Sequence, residues 1–104
     1  MTHDALESQA LATSIGEHSV FHFGKENLEN LLVEYNPAME QTTIYVALRD
    51  QSDEAMKHIF QQYTEEIVPL YIGETMLDLR FFASDSPIFN EAGSNSKSKI
   101  YAMA

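Results

Sequence analysis

This sequence predicts an α+β fold: a two-layer sandwich in which a small mixed sheet of three or four strands carries its helices on one face. Three observations lead there. Residues 42–82 read as strand, acidic turn, amphipathic helix and strand, with Met56, Ile59, Phe60, Tyr63 and Ile67 recurring along one side of a 3.6-residue repeat. Strand-like and helix-like stretches alternate along the chain, which permits a mixed sheet with helices on one side, or a three-layer α/β arrangement as the alternative. A length of 104 residues with 44% hydrophobic content suits one core, so residues 1–104 are read as a single domain.

Taken in order, Thr2 to Ile15 predicts a helix. Thr2 caps it, Asp4 and Glu7 lie near its positive end, and Gly16 stops it. Leu6, Ala10, Leu11 and Ile15 form only a narrow apolar stripe, so residues 2–16 are expected to dock peripherally. His18 to Phe23 alternates, with Phe21 and Phe23 opposite His18, Val20 and His22, and reads as a short strand. Gly24 then opens a helix in which Leu28, Leu31, Leu32 and Tyr35 fall at i, i+3, i+4 and i+7, and Asn36-Pro37 ends it.

Thr43 to Arg49 is β-branched, aromatic and apolar on both faces, as in a central strand. Ser52 or Asp53 caps the next helix, which runs to about Ile67 because Pro69 forbids its continuation. Leu70 to Ile72 reads as a short extended piece before the Gly73 turn. Met76 to Phe82 alternates, with Leu77, Leu79 and Phe81 inward and Met76, Asp78, Arg80 and Phe82 on the opposite face. One helical turn fits between Ala83 and Glu91, residues 93–98 form a flexible polar loop, and Lys99 to Ala102 returns as an edge strand or frays.

Sixteen acidic against six basic residues give a formal charge of −10, a field that repels phosphate backbones and anionic lipid. Neither nucleic acid nor membrane is therefore expected as a partner. With no cysteine, thiolate catalysis, disulfides and cysteine-bound metal are excluded, in keeping with a reducing cytoplasm. The first residues lack a basic, apolar leader pattern, and no window approaches a membrane span of about 20 apolar residues.

Motifs that carry chemistry are absent: no nucleophile-elbow serine, no phosphate loop and no glycine-rich dinucleotide fingerprint. No cofactor and no metal is expected. His18 and His22 would share an ion on a helix, but on the strand read here they stand roughly 13 Å apart as a surface pair. Asp50, Asp53 and Glu54 lack the calcium-loop order and are better explained by helix capping. The candidate contact residues are Met76, Asp78, Arg80 and Phe82, an ion-pairing couple between two apolar side chains on one strand face.

From Leu28 to Tyr101 the order of features resembles the C-terminal domain of the bacterial SseB family, named for enhanced serine sensitivity. The likeness lies in Ile44-Tyr45-Val46-Ala47-Leu48, the turn Asp50-Gln51-Ser52-Asp53 into a long helix, Leu77-Asp78-Leu79, and a tail ending near Lys99-Ile100-Tyr101. The family's tail reads Pro-Phe-Tyr, of which this chain keeps the tyrosine. The resemblance implies a non-enzymatic α+β module.

The function expected is that of a non-catalytic, acidic, cytoplasmic protein acting through protein–protein contacts, with a second copy of itself (a homodimer) or another protein. One alternative is an acidic inhibitor or immunity-type protein covering a basic nuclease or toxin surface. Another is a small-molecule-binding protein or enzyme using His22 or His58 with a carboxylate in a pocket.

Overall fold

The computed structural model describes residues 5–36, 38–83, 85, 87 and 98–102, with side chains described over 10–36, 38–83, 85 and 87. The elements in order are α1 (Ala5–Phe23), a 3₁₀ turn (Lys25–Asn27), β1 (Leu28–Asn36), β2 (Gln41–Leu48), α2 (Asp53–Gln62), a π-helical segment (Tyr63–Ile67), α3 (Val68–Tyr71), β3 (Met76–Phe81) and β4 (Ser98–Ala102). The sheet runs β3-β2-β1-β4. β1 is antiparallel to β2 and to β4, while β2 and β3 are parallel, so the sheet is mixed. The helices lie together on one face, the α+β architecture that the sequence predicts.

The core follows from strand alternation. Leu31 and Val33 of β1, Ile44, Val46 and Leu48 of β2, and Leu77, Leu79 and Phe81 of β3 meet Ala12, Ile15 and Phe23 of α1 and Ile59, Tyr63, Ile67 and Tyr71 of the helical rod from α2 to α3. Phe60, expected among them, is 53% exposed and tilts against the Tyr63 ring instead. α1 is longer than the sequence suggests and is a core element rather than a peripheral one. Its buried residues Ala12, Ile15, Gly16, Ser19 and Phe23 form one helical stripe.

Further expectations are overturned. His18 to Phe23 is not a strand but the last part of α1; the Ser19 hydroxyl donates to the Ile15 carbonyl at 2.7 Å, and Phe21 points outward, 79% exposed. The helix passes through Gly16 and stops at Gly24, whose φ of 90° lies in the left-handed half of backbone space. Gly24 N–H donates to Val20 O at 3.1 Å and Asn27 Nδ2 donates to Phe23 O at 2.9 Å, which satisfies carbonyls freed by the helix end.

Residues 28–36 are likewise not a helix but strand β1. It is central and buried on both sides, with Leu31, Val33 and Tyr35 toward the helices and Leu32 fully buried on the reverse face. A strand covered on both faces loses its period of two, and here the remaining apolar positions coincide with a helical spacing. Asn36 marks the hairpin into β2: its side-chain Oδ1 accepts from Ala38 N–H at 3.1 Å, and Glu40 takes a positive φ of 51°.

Pro69 does not end the second helix. Val68 N–H reaches back five residues to Tyr63 O, forming a π turn, and the proline then sits in the first turn of α3, where no N–H is required. Leu70 and Tyr71 are accordingly helical, not extended. The Thr2 cap, the turn expected near residues 88–91 and the loop at 93–97 lie outside the described residues.

Candidate functional site

β3 is an edge strand with β2 as its single neighbour among the described residues. Met76 N–H donates to Glu40 O at 3.0 Å and Phe82 N–H donates to Val46 O at 2.9 Å. In a parallel pair every second residue turns both backbone groups toward its neighbour. Residues 76, 78, 80 and 82 therefore face β2, and Leu77, Leu79 and Phe81 direct their N–H and C=O groups to the open edge.

The four residues singled out in the sequence share the sheet face away from the helices. Met76 is 68% exposed and Phe82 36%, while the Arg80 and Asp78 side chains are 62% and 32% exposed. Arg80 Nε donates to Asp78 Oδ2 at 2.7 Å, and this hydrogen bond, with the carboxylate charge, raises the guanidinium pKa further. Across the strand pair the register sets Asp78 beside Thr43 and Arg80 beside Tyr45. The Tyr45 ring lies 5.5 Å from that of Phe82, and its hydroxyl donates to Glu34 Oε1 at 3.4 Å. Partial burial and the Glu34 charge raise the Tyr45 pKa.

An open hollow adjoins each end of this edge. One, of about 310 Å³, is lined by Val68, Ile72, Gly73, Thr75, Met76 and Leu77, and Ile72 stands 77% exposed at its rim. The other, of about 210 Å³, lies where β2 and β3 end, among Val46, Leu48, Met56, Phe81 and Phe82. No protein-family model matches the chain, and no curated protein matches it. The site's chemistry is therefore read from the geometry itself.

The histidines are rearranged relative to expectation. On helix α1 the His18 and His22 rings stack with centroids 6.5 Å apart, so the separation expected of a strand does not hold. Tyr71 meets His18 edge-on at 6.1 Å, and its hydroxyl shares a 2.7 Å hydrogen bond with Ser14 Oγ. Burial raises the Tyr71 pKa, and the Ser14 hydrogen bond opposes that shift. Sequence reasoning missed this Ser14–Tyr71–His18 group because it placed His18 on a strand and Ser14 on a separate helix. Among the described residues no group of three or more histidine or carboxylate side chains could hold a metal ion.

His58 borders a cleft of about 130 Å³ whose lining includes Glu26, Asn27, Arg49 and Asp50. Asp50 and Ser52 act locally as the capping reading expects: Asp50 Oδ1 accepts from Ser52 N–H at 3.0 Å, and Ser52 Oγ accepts from Ala55 N–H at 3.2 Å at the start of α2. No helix among the described residues is long and apolar enough to cross a membrane.

Proposed function

We propose that this chain is a non-catalytic, acidic, cytoplasmic protein that works by protein–protein contact, with strand β3 and its outward residues Met76, Asp78, Arg80 and Phe82 as the contact surface. One observation carries the reading: a regular edge strand that, among the described residues, is paired on one side only and sets exposed Met76 and Phe82 on either side of the Asp78–Arg80 ion pair. Folded proteins blunt such edges with charged side chains, especially lysine, with proline, bulges or a covering loop, and here the charges of Asp78 and Arg80 neutralise each other as a pair. Residues 76–82 contain no lysine or proline, and the β2–β3 pairing runs without a register shift. The likeness to the enhanced-serine-sensitivity family agrees with a module of this non-enzymatic kind.

An immunity-type role would gather the acids on one surface. Here Glu26, Asp50, Asp53 and Glu54 stand at the end of the sheet where β2 finishes, and Glu40 and Glu74 at the other, so charge supports this role less than the β3 edge supports contact. The cleft beside His58, with Glu26 and Asp50, supports a small-molecule reading as the second choice. Its roughly 130 Å³ falls short of the ~300–1,000 Å³ usual for ligand sites.

A photo-crosslinking residue placed at Arg80, compared with one at the exposed Glu65 on the opposite layer, tests the proposal in cells. Discrete crosslinked species, to another protein or to a second copy, are expected from position 80 and not from position 65. Equal, diffuse products from both positions would refute it.

A further inference from the structure

We infer that the partner of β3 is a second copy of this chain, joined edge to edge and antiparallel about a two-fold axis through Leu79. This rests on the contact reading above and names its occupant. Among the described residues nothing pairs with the outer edge of β3, which offers the backbone groups of Leu77, Leu79 and Phe81. An antiparallel neighbour must set edge-facing residues opposite edge-facing residues, which restricts the two-fold centre to a residue position and excludes the midpoint between two residues.

Charge then selects among the allowed centres. Centred on Asp78, the two copies would place their Asp78 carboxylates directly opposite each other; centred on Arg80, they would oppose two guanidinium groups. Centred on Leu79, Asp78 faces the Arg80 of the second copy, Arg80 faces its Asp78, and Met76 faces its Phe82. These outward pairs fall at the closely spaced positions of an antiparallel ladder, about 4.5 Å between Cα atoms, where cross-strand partners interact most strongly. On the helix side Leu77 meets the other copy's Phe81, next to the hollow lined by Val68 and Ile72. The segment reads as its own complement in reverse: apolar, acidic, apolar, basic, apolar.

Net charge adds to the selection. Each chain carries −10, so two copies repel across most of their surfaces. From Met76 to Phe82 the net charge is zero, and the two opposite charges are arranged to attract a reversed copy. The joined sheets form one continuous sheet of twice the width, with the helices of both copies on the same side.

Sedimentation of the full chain across a concentration series tests this. The parent chain is expected to dimerise. Asp78→Arg alone and Arg80→Asp alone should each weaken self-association at least tenfold, with urea midpoints checked so that unfolding is not mistaken for dissociation. Mixing the two variants restores opposite charges at both outward positions and should recover dimers, a result that loss of folding cannot imitate. Because the chain has no cysteine, mixing a Met76→Cys chain with a Phe82→Cys chain should form a disulfide-linked pair that neither forms alone. A parent chain that stays monomeric at millimolar concentration overturns the inference, as does a dimer indifferent to both charge reversals or unrecovered on mixing. If position 80 still crosslinks to a different protein, the contact reading survives and only its occupant changes.

Discussion

Ile59 and Phe60 are neighbours on α2 with opposite fates, and their alanine variants give the sharpest check on the packing. Ile59 is 1% exposed within the core, whereas Phe60 is 53% exposed and its ring contact is with Tyr63. Ile59→Ala removes three buried carbons at about 0.8 kcal/mol each, and alanine's better helix propensity returns about 0.4 kcal/mol. A residual cavity adds to the loss, for a net destabilisation of about 2–4 kcal/mol. Phe60→Ala removes more atoms but mostly from a solvated position, so its cost is about 1 kcal/mol or less after the same propensity gain. In urea, with a slope near 1.5 kcal/mol per M, the Ile59 variant should lose about 2 M of midpoint and the Phe60 variant under about 0.7 M. Both measurements belong at one protein concentration, since self-association would shift the midpoints. Equal losses, or a larger one for Phe60, would refute the placement of the α2 face against the sheet.

Gly24 and Gly73 both have φ of 90°, but a Cβ on Gly24 would meet Asn27 Nδ2 at 2.8 Å while one on Gly73 meets nothing within 4 Å. Alanine at 73 should therefore cost about 1–2 kcal/mol of backbone strain, and alanine at 24 about 1 kcal/mol more through the disturbed Asn27–Phe23 hydrogen bond, read by thermal or urea unfolding. Burial, with the Asp78 charge adding, pushes the Tyr63 hydroxyl up to about 12 from an ordinary 10.0. The unfolded chain thus loses this proton first, and its contribution to stability is complete below pH 10 and lost as pH rises toward 12. Tyr63→Phe should flatten the decline in urea midpoint over that window. Part of the slope remains, because Tyr35, Tyr45 and Tyr71 are raised in the same direction.

Local pattern carries the second half of the chain further than the first. Leu77 to Phe81 alternates apolar with charged because one face meets helices and the other does not, so its inward and outward residues are legible from the alternation itself. Ile44 to Leu48 and the capped helix after Ser52 are legible for similar reasons: β-branched residues favour the pleat, and a serine hydroxyl satisfies an orphan N–H. The proposed contact residues are identifiable as a strand face. Their position on an open edge is not, because strand order depends on which pairs form across the sheet.

What the sequence alone determined is the fold class, the strand–helix–strand unit from 42 to 82, and the company of Asp78 and Arg80 between two apolar side chains. Tertiary structure decided the rest. Leu28 to Asn36 became a strand because β2 and β4 flank it and both its faces are covered, which outweighs a helical spacing that is equally satisfied on paper. His18 to Phe23 stayed helical because α1 needed those turns to seat Ser19 and Phe23 in the core. Backbone hydrogen bonding is local in a helix and distant in a sheet, so a short apolar segment is committed to one or the other only when its neighbours in space are present.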